Sequence, residues 1–147
     1  RAPLQAVGLN YGHGTGHGVG CYLEVHEGPQ KISPYPSGIA LQPGMVVSNE
    51  PGVYHKDQYG IRIENLVHVI AAPTPSNALN KDDAFYTFKD LTLLPYHRDL
   101  IDVNLLTAIE LDWINQYHQW VAATLMPRLS LKEQIWLRHM TQPIELE

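Results

Sequence analysis

Tyr11-Gly-His-Gly-Thr-Gly-His-Gly-Val-Gly20 places glycine at every even position from 12 to 20. Each glycine adds backbone entropy and removes a side chain that could pack, so the run is a poor helix and a poor packed strand. A chain accepts that cost where its backbone turns tightly or lies against a ligand. The intervening positions carry His13, Thr15 and His17, and imidazoles in such a setting are candidates for metal binding or proton transfer. Working outward, His26 precedes Gly28-Pro29, Glu50 precedes Pro51-Gly52, and Arg62-Ile-Glu-Asn65 follows Gly60.

The rest of the chain gives these residues a scaffold. Met45-Val46-Val47 reads as a strand running into Ser48-Asn49-Glu50, which leaves Glu50 at its end. Val53 to His55 and Ile61 to Ile70 read as a hairpin across Lys56 to Gly60. Alternation then puts Arg62 and Glu64 on one face of the second strand, within reach of Glu50 on the neighbouring one. Tyr22 to Val25, Gly38 to Leu41 and Leu91 to Leu94 read as further strands. Ser33 to Gly38 and Ala71 to Asp83 are proline-bearing loops. The tail changes period. Thr107-Ala-Ile-Glu110 and Ser130-Leu-Lys-Glu133 are capping boxes, each opening an apolar pattern at helical spacing. Three tryptophans on the two helices read as packing surface. The fold class is α+β, a mostly antiparallel sheet with C-terminal helices. The whole chain, 1–147, is one piece of a domain, strand-rich over 8–102 and helical over 105–141.

Composition narrows the function. A chain of 147 residues suits one domain and buries roughly 70% of its extended surface. The net charge of −5, with no run of Lys or Arg, argues against nucleic acid as a partner. No apolar run reaches the ~18 residues of a membrane span. A single cysteine, Cys21, allows no internal disulfide and points to a reducing, cytoplasmic compartment. The glycine run matches neither G-x-G-x-x-G nor a P-loop, and no H-E-x-x-H or G-x-S-x-G occurs. One imidazole with several carboxylates suits Mn²⁺, Co²⁺ or Zn²⁺. His17, Glu50 and Glu64 can supply three ligands. His13 and His26 are candidate proton carriers or oxyanion donors.

His13 to Gly20, Val25-His-Glu-Gly-Pro29, Pro43-Gly-Met45, Glu50-Pro-Gly52 and Gly60-Ile-Arg-Ile-Glu-Asn65 occur in the order seen in aminopeptidase P. That family groups the Xaa-Pro aminopeptidases within the methionine-aminopeptidase-like "pita-bread" metallopeptidases. Phe88 to Pro95, Leu100 to Asp102 and Leu111 to His118 resemble its C-terminal strand and the helix that follows. The resemblance implies that His17, Glu50 and Glu64 are three of five metal ligands, with Glu64 bridging. It implies that Glu50 also acts as general base, and that His13 and His26 line the substrate site and stabilise the oxyanion. The cofactor would be two divalent ions, manganese first and zinc or cobalt next. The substrate would be a peptide with proline at its second position, whose first residue is released.

One departure shapes the remaining expectations. The family takes two aspartate ligands from strands well before the histidine motif, whereas 16 residues precede His17 here and none is Asp. The chain therefore resembles the C-terminal half of such a catalytic domain. Alone it is expected to hold metal weakly, to have little peptidase activity, and to form a homodimer or rearrange so that an exposed sheet face is covered. Two other readings compete: a metal-free hydrolase of the same fold, resembling creatinase, and a non-catalytic binding or scaffold module.

Overall fold

The computed structural model describes residues 1–22 and 24–145. In chain order the elements are helix α1 (Ala2–Ala6), strands β1 (Gly16–His17), β2 (Lys31–Ile32), β3 (Val46–Asn49), β4 (Gly52–His55), β5 (Tyr59–Arg62), β6 (Asn65–Ala72) and β7 (Phe85–Asp90), then helices α2 (Ala108–Leu125) and α3 (Leu131–Met140). All strand pairs are antiparallel: β1 with β2, β4 with β5, and β3-β6-β7 as a three-stranded sheet with β6 central. Residues 1–92 form one compact unit, and the chain from Leu93 onward forms a second.

The central strand explains the first unit. Asn65, Val67 and Val69 of β6 are buried in alternation with half-buried neighbours, the pattern of a strand flanked on both edges. Val47 of β3 is fully buried opposite Val67. The glycine run then lies along β3. A bridge joins Gly18 to Val47, the Glu50 N–H donates to the Thr15 carbonyl at 2.7 Å, and the His17 N–H donates to Ser48 Oγ at 3.0 Å. A Cβ built on Gly16 would run into the Ser48 carbonyl, and one on Gly18 into the Glu27 carbonyl. Glycine is needed there because two backbones touch.

In the second unit, both capping boxes form. Thr107 and Glu110, and Ser130 and Glu133, exchange side-chain and backbone bonds at the starts of α2 and α3. These bonds hold both glutamates below the usual carboxylate range, led by the Thr107 backbone N–H for Glu110 and the Ser130 hydroxyl for Glu133. Tyr117, Val121 and Leu137 form the core, with Leu93, Tyr96 and Trp120 packed against them. Of the three tryptophans, Trp120 packs there, while Trp113 and Trp136 stay about half exposed.

Several strand expectations need correction. Gly38 to Leu41 is irregular, because Gly38 takes φ +79° and Ser37 exchanges hydrogen bonds with the Ile39 backbone in place of a ladder. Leu91 to Leu94 is not a strand; β7 ends at Asp90, and Leu91 contributes one last N–H to the Leu66 carbonyl before the chain leaves the sheet. Ile61 to Ile70 is two strands. β5 stops at Arg62, the Ile63 N–H turns to the Pro51 carbonyl, and β6 begins in a different sheet. The Tyr22 to Val25 strand falls partly on Leu23, outside the described residues; Tyr22, Glu24 and Val25 carry no strand and are exposed.

Candidate metal and catalytic site

The end of β3, the glycine run and the β4–β5 hairpin converge on Glu50, which is only 8% exposed although it carries a carboxylate. Burying a charge demands partners, and Glu50 has them. Its Oε2 accepts from Arg62 at 3.1 Å, and the Ser48 hydroxyl, itself fully buried, points at Oε1 from 3.4 Å. Ser48 thus ties the His17 backbone to the Glu50 carboxylate. The remaining face of Oε1 looks at His17 Nε2, 3.6 Å away.

That gap suits two ligands of one ion better than a hydrogen bond. Donors bound at about 2.0–2.2 Å sit roughly 3–3.5 Å from each other, whereas a hydrogen bond is shorter than 3.6 Å. The tautomer agrees. His17 Nδ1 lies 2.9 Å from the Gly18 carbonyl, which can only accept. A proton therefore sits on Nδ1, which leaves Nε2 as the nitrogen available to a metal ion beside Glu50. His26 packs against His17 with ring centroids 4.2 Å apart and the planes tilted by 41°.

A second chain of contacts leads to His13. Its Nδ1–H donates to the Gly14 carbonyl at 2.6 Å, so Nε2 accepts from the Tyr54 hydroxyl at 2.8 Å. The Tyr54 oxygen in turn accepts from Arg62 Nε at 2.9 Å. This bond is the main reason Arg62 is held above its ordinary pKa, with the Glu50 and Glu64 charges adding to it. Arg62 remains a cation and links Glu50 to His13 through Tyr54.

The structure therefore brings His13, His17, His26 and Glu50 together. Glu64 stands apart, exposed in the link between β5 and β6, and its effect is felt through the field at Arg62. Among the described residues no group of three or more His, Cys, Asp or Glu side chains is placed to hold a metal ion. The donor types and the spacing of His17 and Glu50 fit a divalent ion as two members of a larger shell. Sequence reasoning gave no role to Ser48, Tyr54 or Arg62. Tyr54 enters through hairpin register, which sets it opposite Gly60, and a Cβ on Gly60 would meet the Tyr54 ring at 2.8 Å. An aromatic facing a glycine across a short hairpin was the available signal.

Comparison with known proteins identifies the family and the fold. Residues 1–71 match metallopeptidase family M24, and residues 84–144 match the C-terminal region of peptidase M24. Aminopeptidase P1 of Lotus japonicus is 44% identical over 145 residues, covering 98% of this chain and 22% of the relative. Aminopeptidase P2 of Arabidopsis thaliana is 47% identical over 146 residues, covering 98% and 20%. The X-prolyl aminopeptidase of Caenorhabditis elegans, described as a cytosolic enzyme with a di-nuclear active site, superposes with a TM-score of 0.87 at 43% identity. It covers 98% of this chain, which covers 23% of it. The fold is thus the α+β pita-bread arrangement expected from the motifs, and the chain spans about a fifth to a quarter of the length of these relatives. With its motifs, its antiparallel sheets and its paired helices all accounted for, the chain belongs to metallopeptidase family M24.

Proposed function

We propose that this chain is the C-terminal part of the catalytic domain of a dinuclear metal-dependent aminopeptidase, releasing the first residue of peptides with proline second. Both compact units belong to that one domain in this reading. The observation that carries it is the His17–Glu50 pair, with the His17 tautomer set by Gly18 and the two donor atoms facing at 3.6 Å. The names of the relatives support the substrate class. A metal-free hydrolase would not require that pair, and a scaffold would not require a buried carboxylate aimed at an imidazole.

His17 and Glu50 would hold the metal from this chain, with Glu64 as third ligand once it turns in from its exposed link, and donors from the rest of the protein would complete the shell. Bound divalent ions supply Lewis-acid polarisation of the scissile carbonyl and a water acidified toward neutral pH. Glu50, its far oxygen held by Arg62, accepts the proton of the attacking water as general base. His13 and His26 line the substrate and stabilise the oxygen of the carbonyl as charge develops there, His13 by exchanging the Tyr54 hydroxyl at Nε2 for an Nε2–H donated to that oxygen. The C–N bond to proline then breaks, and the proton passes to the proline nitrogen. Manganese is our first choice of metal because carboxylates dominate the donor set, with zinc or cobalt next. The net charge of −5 favours a protein without nucleic-acid partners. No helix among the described residues is long and apolar enough to cross a membrane, and the solved relative is described as cytosolic; we place this protein in the cytoplasm, as a homodimer.

The test is metal analysis and peptide cleavage by the intact protein and its His17→Ala, Glu50→Gln and Glu64→Gln variants. Each variant is expected to lose bound metal and at least about 100-fold in turnover of an Ala-Pro peptide. After chelation, Mn²⁺ should restore the parent best. Unchanged metal content in all three variants, or cleavage indifferent to proline, would overturn the reading.

A further inference from the structure

His13 is held by a backbone with glycine on both sides, and a Cβ on Gly12 would meet nothing within 4 Å. No side chain at position 12 restrains that backbone, yet the imidazole lies 2.8 Å from the Tyr54 hydroxyl. The restraint comes from Arg1. Its Nη1 donates to the Tyr11 carbonyl at 2.6 Å and to Asn10 Oδ1 at 2.6 Å, and its Nη2 donates to the His13 carbonyl at 2.5 Å. The two carbonyls flank Gly12, so one rigid fork spans the flexible residue. The guanidinium also lies 3.8 Å over the ring of Tyr11, which is 4% exposed and bonded to Thr15 through its hydroxyl at 2.7 Å. Asn10 Oδ1 additionally accepts the Tyr11 N–H at 2.9 Å, closing the loop on itself. Lysine is a point donor and cannot span both carbonyls in this way.

We propose that Arg1 is a positioning residue: its fork fixes the Tyr11–His13 backbone and thereby holds the His13 imidazole against Tyr54, at the geometry its work on the substrate requires. The proposal rests on His13 touching substrate, and its test separates the two ideas. In the intact protein, kcat and KM for an Ala-Pro peptide, metal per chain and melting temperature are measured for Arg1→Met, Arg1→Lys, His13→Ala and the Arg1→Met/His13→Ala double variant. A misplacement of about 1 Å costs up to ~100-fold in rate, so Arg1→Met should lower kcat by about 10- to 100-fold with metal content kept. The double variant should be no slower than His13→Ala, because both changes remove the same group's contribution. Arg1→Lys should fall well short of the parent. Full activity in Arg1→Lys, losses that multiply in the double variant, or a loss that tracks metal content or melting would overturn the clamp. If His13→Ala is itself fully active, the reading of His13 fails. The clamp is then judged from a crystal structure of Arg1→Met: a ring displaced from Tyr54 upholds it, and an unmoved ring refutes it.

Discussion

The burial of Glu50 makes the site a matter of single atoms. One oxygen is neutralised by Arg62, and the other is left facing an imidazole whose Nδ1–H is already donated to a carbonyl. Such an arrangement stores an open donor pair. It depends on the glycine run lying directly on β3, where Gly16 has no room for a Cβ beneath the Ser48 carbonyl. Gly16→Ala is therefore expected to lower stability by at least about 1–3 kcal/mol, the usual cost of overpacking. Gly12→Ala, with open space around it, should stay within about 0.5 kcal/mol of the parent. Equal effects in chemical denaturation would show that backbone contact is not what Gly16 provides. The residues themselves were legible early: His13, His17, His26 and Glu50 all stand out by neighbour type, and the structure gathers them. Ser48, Tyr54 and Arg1 were not, because hydroxyls and a guanidinium acquire roles only from register and from carbonyls brought near by folding.

Among the elements, the two long helices and the strands at Val46–Asn49 and Gly52–His55 followed their local signals, and several other strands did not. Each capping box lies within four residues, so local chemistry suffices. From Ile61 to Glu64 apolar and polar residues keep alternating as in a single strand, and the change of sheet after Arg62 comes from the Ile63 N–H turning to the Pro51 carbonyl. Helix α2 also carries a buried titratable group. His118 is fully buried, its Nε2 accepts the Tyr96 N–H at 3.0 Å, and its Nδ1 has no hydrogen-bond partner among the described residues. Burial first, and then the Arg98 charge, pushes its pKa below 6.5. Below pH 6.5 the unfolded chain therefore takes up a proton that the folded chain resists. Stability contributed by neutral His118 is complete above about pH 6.5 and falls as pH drops from there toward the lower folded value. Glu110 and Glu133 act in a separate, more acidic window, below their ordinary value of 4.5. His118→Gln keeps an acceptor for Tyr96 but does not titrate. Its melting temperature should change less than the parent's between pH 6.5 and 5, and an identical slope would assign the acid sensitivity elsewhere.

For the molecule as a whole, exposed apolar side chains are the conspicuous property. Tyr59, Ile61 and Ile63 near the β4–β5 hairpin, and Tyr86 and Phe88 on β7, are 45–55% exposed, while Leu100, Leu105 and Ile109 reach 77–83%. Patches of that kind are usually covered by partner surface. The 147-residue chain by itself is expected to self-associate in light scattering, as a dimer at micromolar concentration; a monomer across that range would refute the expectation. What the amino acids determined unaided was chemistry and local order. The glycine–histidine alternation, the Glu-Pro-Gly and Arg-Ile-Glu-Asn motifs and the two capping boxes act over a few residues, where propensity and hydrogen-bonding rules decide. Only the tertiary structure decided which donors meet. His17 and Glu50 are 33 positions apart, and their approach depends on antiparallel register and on backbone contact at Gly16. Long-range register of that kind is chosen by how whole sheets bury their faces, and no short window of sequence encodes it.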